Sequence, residues 1–225
     1  MKYATSVALV FILVLAGAAV WAQCPGSCAE PVKVQCPAAC PEPVAQCPQP
    51  CPQPCPQACC PATIPAAVGA GPAGELAGLQ CPDFDPAYTK RVFEQNATII
   101  AVAEFGMQRA SNSNLRDISG DIRSRLMGAN AKLAGVFAAC GCLTADNTRA
   151  QAIIAELCSQ SGECFDVAYA KTLSALVKQS QCADELGGAR AVNPVLRQQA
   201  QFMARNESNW AFRLDRWTTD HGYTP

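Results

Sequence analysis

Residues 115–140, LRDISGDIRSRLMGANAKLAGVFAAC, decide the fold. Leu115, Ile118, Ile122, Leu126, Ala129, Leu133, Val136 and Cys140 recur at steps of three and four residues. That period lays one apolar stripe along an α-helix, and Gly141 is the expected stop. A helix striped on one side must bury that side against other elements, so its neighbours should be helices of similar length.

Upstream, Asp85-Pro86 supplies a helix start, an N-cap carboxylate followed by proline at the first helical position. The helix it opens is expected to reach about Ala110, with Tyr88, Val92, Phe93, Ile99, Ile100, Ala103 and Met107 on one wide apolar face. Downstream, 146–157 is a short helical candidate, and a third long helix should run from Phe165 to Gly187-Gly188. Asn193-Pro194 repeats the cap-and-proline start. From there Leu196, Ala200, Met203, Trp210, Leu214 and Trp217 form the seam of a fourth. No stretch reads as a strand. Four amphipathic helices with one long middle connection predict an all-α, antiparallel four-helix bundle over residues 81–219, with 220–225 as a tail.

The N-terminal side differs in kind. Residues 1–22 have the three-part pattern of a secretory signal: Lys2, an apolar run from Val7 to Ala19, and small residues up to Ala22. Residues 23–80 comprise a Cys/Pro-rich extended tract, expected to be disordered, and within their last part an Ala/Gly hinge over 66–78. Nine of the fifteen cysteines fall here: Cys24, Cys28, Cys36, Cys40, Cys47, Cys51, Cys55, Cys59 and Cys60. Most are followed by proline, which favours an extended left-handed path with a reach on the order of 110 Å. On that path a four-residue step separates successive thiols by about 12 Å, too far for neighbours to bridge. The thiols then pair with another chain or another part of the tract, unless the chain turns sharply at each repeat. The alternative is thiolate binding of zinc or copper, because a Cys-x-x-x-Cys spacing is acceptable to zinc.

Charge excludes one class of partner. Residues 81–225 hold fifteen Lys plus Arg against fifteen Asp plus Glu, with no basic run, so nucleic acid is not an expected ligand. The single histidine, His221, stands five residues from the end, which leaves little His-based metal or acid–base chemistry.

The stretches FDPAYTKRVFEQNATIIAVAEFGMQRASNSNLRDIS (84–119), LMGANAKL (126–133) and ECFDVAYAKTLSALV (163–177) resemble the exported ferritin-like bacterial domain of unknown function often labelled predicted outer membrane protein. The resemblance covers about Phe84 to Trp217 and implies a ferritin-like bundle outside the cytoplasm with no assigned enzyme activity. Members of that family place Glu and His inside the bundle. The corresponding positions here fall at Ala101, Leu126 and Val177, with Glu207 the one polar survivor. A di-iron site of this type needs Glu from two helices and Glu-x-x-His from the other two. The resemblance therefore implies a metal-free body.

Glu207 lies on the seam of the last helix, where a buried carboxylate could have a raised pKa and act as an acid or ligand. Since one carboxylate without partners makes no site, it is expected instead to tilt outward or to pair with an arginine such as Arg123 or Arg125. Asp117 and Asp121 are four apart among arginines and read as a solvated face rather than a paired-carboxylate site. Six cysteines remain, Cys81, Cys140, Cys142, Cys158, Cys164 and Cys182. Cys140 or Cys142 is expected to bridge to Cys158 or Cys164, and Cys81 to Cys182, with a redox or metal role for Cys140-Gly-Cys142 as the alternative.

The sequence thus predicts no enzyme. It predicts an exported structural or interaction protein, periplasmic, outer-membrane associated or extracellular, without a transmembrane span once the signal is removed. Its partners are itself or other envelope proteins, reached by disulfides, and no cofactor is expected apart from zinc or copper in the alternative.

Overall fold

The computed structural model describes residues 64–137 and 143–224. Among them the chain is all-helical, with no strand. A 3-10 turn at Ala66–Val68 precedes six helices: α1 Ala73–Ala77, α2 Phe84–Arg109, α3 Ser113–Phe137, α4 Thr148–Cys158, α5 Gly162–Arg190 and α6 Pro194–Asp220. The signal segment and the tract from Cys24 to Cys60 lie outside the described residues, as do Cys140, Gly141 and Cys142.

Local chemistry explains most boundaries. At α6 the Asn193 side chain accepts from the amides of Val195 and Leu196, and Pro194 takes the first helical position, as expected. Asn112 does the same for α3, accepting from Asn114 and Leu115. The start of α2 differs from expectation. The helix begins at Phe84, and the Asp85 carboxylate, instead of capping its own helix, reaches the amides of Val192 and Asn193 between α5 and α6.

The end of α5 differs too. The helix passes through Gly187-Gly188 to Arg190. A β-carbon at Gly187 would lie 2.4 Å from Cε2 of Tyr88, so this glycine makes room for a ring and does not stop the helix. The expected hinge also has structure: Val68 and Leu76 are buried in it. Arg149 donates to the carbonyls of Ala67 and Val68, and Arg190 to those of Leu76, Ala77 and Leu79. These guanidiniums satisfy backbone acceptors that would otherwise be left over where the segment packs down.

The long helices meet side by side. On α2, Tyr88, Gln95 and Gly106 face Asp184, Leu176 and Tyr169 of α5. Asn96 and Glu104 of α2 bond Asn130 and Arg123 of α3. Ser174 and Gly188 of α5 bond Asp215 and Gln201 of α6, and Asp121 of α3 accepts from Trp210 of α6. The apolar residues gather in two patches. The larger includes Ile99, Ile122, Leu126, Leu173 and Trp210; the smaller includes Leu76, Phe84, Tyr88, Leu133 and Leu196. The expected seam of α6, from Leu196 to Trp217, is buried throughout, whereas Met107 of α2 is exposed.

Candidate functional site

The interior polar groups are organised by a repeat. FDPAYTK at 84–90 returns as FDVAYAK at 165–171, an offset of 81 residues, and the same offset relates Gly106 to Gly187, Arg109 to Arg190, Asn112 to Asn193 and Arg116 to Arg197. The pair α2–α3 is thereby repeated as α5–α6. Each copy clasps the other. Asp85 binds the 192–193 turn of the second copy, and Asp166 accepts from the amides of Ser111 and Asn112 and from the Ser111 hydroxyl in the first. Arg190 lies over the Phe84 ring at 4.9 Å and Arg109 over Phe165 at 5.5 Å. Arg116 and Arg197 donate to the carbonyls of their own turns, Ala110 and Ser111 in one case, Ala191 and Val192 in the other.

At the centre of each clasp a tyrosine enters a space left by a glycine. Tyr88 stacks on Phe84 and packs against Gly187; Tyr169 stacks on Phe165 and packs against Gly106. The hydroxyls then part company. Tyr169 shares a hydrogen bond of 2.5 Å with Ser119, which bonds back to the Leu115 carbonyl. Tyr88 donates to Oδ1 of Asp184 at 2.5 Å. At the offset of 81, Asp184 corresponds to Ala103, Glu207 to Leu126 and Ser180 to Ile99. The second copy therefore has polar groups at three positions where the first is apolar.

Glu207 is 0% exposed and Asp184 1%. Neither forms an ion pair among the described residues, whose salt bridges are made elsewhere. With both carboxyls ionised, the Glu207 oxygens and Oδ2 of Asp184 have no well-aligned donor; the Ser180 hydroxyl lies close enough to Glu207 to favour its charged form, but not in good hydrogen-bond geometry. A proton removes much of this deficit, because a protonated Glu207 donates to Asp184. Burial raises Glu207 well above the usual carboxylate range, and the charge of Asp184 raises it further. Burial likewise pushes Asp184 up to about 7, against hydrogen bonds from Tyr88 and Glu207 that hold it down. Tyr88 is raised by burial and then by Asp184, so it stays a neutral donor. The arrangement holds a proton between two carboxyls; both titrate as one unit.

The other expected residues fall as follows. Glu207 does not pair with Arg123 or Arg125, because Arg123 binds Glu104 at 2.6 Å and Arg125 binds Asp121 at 2.8 Å. The expectation that Glu207 tilts outward or pairs with an arginine is thus corrected: its side chain is buried. Asp117 is exposed, and Asp121 serves as a junction, accepting from Arg125 and from the Trp210 indole. The expected bridge between Cys81 and Cys182 is absent; both are free, and both are exposed on the outer surface of the body. Cys164 is disulfide-bonded, and its expected partners Cys140 and Cys142 lie outside the described residues. Leu126 and Val177 are buried apolar residues, and Ala101 is half-buried.

No group of three or more His, Cys, Asp or Glu side chains is gathered for a metal among the described residues. No described helix is long and apolar enough to cross a membrane. Reading single helices by period finds Glu207 but misses its partners. Asp184 is polar on a face whose other members are Ala183, Gly187 and Ser180, and only the FD-x-AY repeat puts Tyr88 and Asp184 in register with an apolar counterpart. In the three comparisons with known proteins, no family model, no curated protein and no solved structure matches the chain.

Proposed function

We propose that this is an exported structural or interaction protein: a metal-free, ferritin-like antiparallel four-helix bundle, tethered or cross-linked by disulfides through its Cys-Pro arm. The antiparallel arrangement is supported by the sense of the contacts, since partner numbers fall on α5 as they rise on α2, and likewise for α2 with α3 and α5 with α6. The connection containing α4 is then the single long crossover of a ferritin-like topology. The signal-like residues 1–22 support export to an oxidising compartment, where thiols are oxidised to disulfides.

The observation that carries this reading is the division of labour among reactive groups. The body spends its polar residues on holding itself together, through Asp85, Asp166, Asp121, Arg149 and Arg190, while free thiols at Cys81 and Cys182 face outward. Together with the nine tract cysteines these thiols suit attachment, not catalysis. Secreted protein on a non-reducing gel is expected to give a ladder that collapses with reductant and disappears when the cysteines of Cys24 to Cys60 are changed to Ser. A ladder that survives those changes contradicts the proposal. Stoichiometric zinc or copper with free tract thiols after anaerobic purification would replace it with a soft-metal binding role.

A further inference from the structure

We propose that Asp184 and Glu207 form a pH-sensitive latch: one shared proton clamps α6 to α5, and its loss leaves two like charges in an apolar interior and loosens α6.

The first support is geometry. Asp184 on α5 and Glu207 on α6 are buried within hydrogen-bonding reach of each other, and the two Glu207 oxygens and Oδ2 of Asp184 are left without a well-aligned donor while both carboxyls are ionised. Unpaired buried charge is costly, and a group so placed takes up a proton instead. The second support is the internal control that the repeat provides. Around Tyr169 the same packing is achieved with Ser119, Ala103 and Leu126, all buried and none ionisable. The fold therefore does not need carboxyls at this position, and their presence in one copy alone calls for a role beyond packing.

Among the described residues, the surrounding groups leave the pair without a compensating cation. From α2 comes the Tyr88 hydroxyl, a donor to Asp184; from α5 come Ser180 and Cys182, the latter acting on Glu207 as a further raising influence. On α3, Arg123 and Arg125 are committed to Glu104 and Asp121. Arg190 of α5 is committed to carbonyls of 76–79, and Glu75 of α1 to Arg91 of α2. Arg205, on α6 itself, is exposed. When the proton leaves for a base in solvent, repulsion between the carboxylates has no local neutralisation except opening of the α5–α6 contact to water.

The sign follows from linkage. Both groups are raised in the folded chain, so the fold holds a proton that the unfolded chain releases from about pH 4. The stability supplied by the pair is complete on the acid side. It declines as pH rises: Asp184 ionises at about 7 and leaves Glu207 holding the one shared proton, so the clamp itself is lost only further to the alkaline side, as Glu207 titrates.

Hydrogen exchange of the full chain, corrected for the intrinsic pH dependence of amide exchange, tests the latch with its own control. Between about pH 8, where one proton remains on the pair, and the alkaline side on which Glu207 titrates, the α6 segment around Glu207 should lose protection by about tenfold or more, while the α3 segment around Leu126 should not change. Glu207→Gln should remove the response, and Glu207→Leu, which copies the first copy's residue, serves if the glutamine variant does not fold. An infrared band of protonated carboxylic acid should be present in the wild-type protein at neutral pH and vanish over the same range. Equal responses in both segments, a response that persists in the variant, or no such band would each overturn the proposal.

Discussion

The ring of Tyr88 occupies the space that a side chain at Gly187 would need: a β-carbon there would come within 2.4 Å of Cε2 and 2.5 Å of Cζ. Tyr169 stands in the same relation to Gly106, where the nearest approach would be 1.9 Å. Alanine is otherwise about 1 kcal/mol better than glycine inside a helix. Gly187→Ala and Gly106→Ala should nevertheless destabilise, by about 1–3 kcal/mol, because the ring and its stacked Phe must shift in a packed interior. Chemical denaturation of each variant checks this. A gain in stability would mean that the rings are not fixed against these helices.

The two clasps should be separable from the bundle interior. Asp85→Ala removes both acceptors from the Val192 and Asn193 amides, and Asp166→Ala removes three bonds to Ser111 and Asn112. Asp85 is half-buried and Asp166 is buried, and each loss is expected to cost about 1–3 kcal/mol. The repeat predicts that the two effects are of similar size. Urea denaturation of the single variants and of the double variant gives the comparison, and an effect of only one of them would show that the clasps are not equivalent.

Replacing the buried acid by the residue of the first copy should stabilise. Glu207→Leu fills the position with an apolar side chain and leaves Asp184 with its Tyr88 donor. At about pH 8 this variant should melt above the wild type by several degrees, of the order expected for about 1–2 kcal/mol in a domain of this size. At about pH 5 the difference should shrink, since the protonated pair is then intact. Thermal scans at the two values decide it; a difference independent of pH would point to packing alone.

How much of this was legible in the sequence depended on whether the signal was local. The stripe from Leu115 to Leu133 and the Asn193-Pro194 cap each lie within one helix, and both appear where they were expected. Asp85 reads as a cap of its own helix because an aspartate before proline satisfies the local rule. Its actual partners, Val192 and Asn193, lie on a turn more than a hundred residues away. Gly187-Gly188 reads as a stop for the same reason, as the close approach of Tyr88 has no trace in the sequence of α5 alone. Glu207 stood out by breaking an apolar seam. Asp184 did not, because its neighbours Ser180 and Gly187 already made that face polar and small.

The stretch at 66–78 gives a fourth expectation. Arg149 donates to Ala67, Val68, Gln95 and Gln179, so it ties this segment to α2 and α5 at once. Arg149→Met should release it, with faster proteolysis between 64 and 72 while the melting of the long helices falls by only about 1–2 kcal/mol. Limited proteolysis followed by mass spectrometry reads both the site and the rate. Cleavage confined to the long helices would contradict the assignment.

The central claim is attachment through thiols, and mass-spectrometric mapping of every cysteine in the native protein tests it most directly. The account predicts disulfides between chains or to other envelope proteins that involve the cysteines of Cys24 to Cys60, with Cys81 and Cys182 not bridged to each other. Finding every tract cysteine paired within its own chain, or free and holding metal, would contradict it.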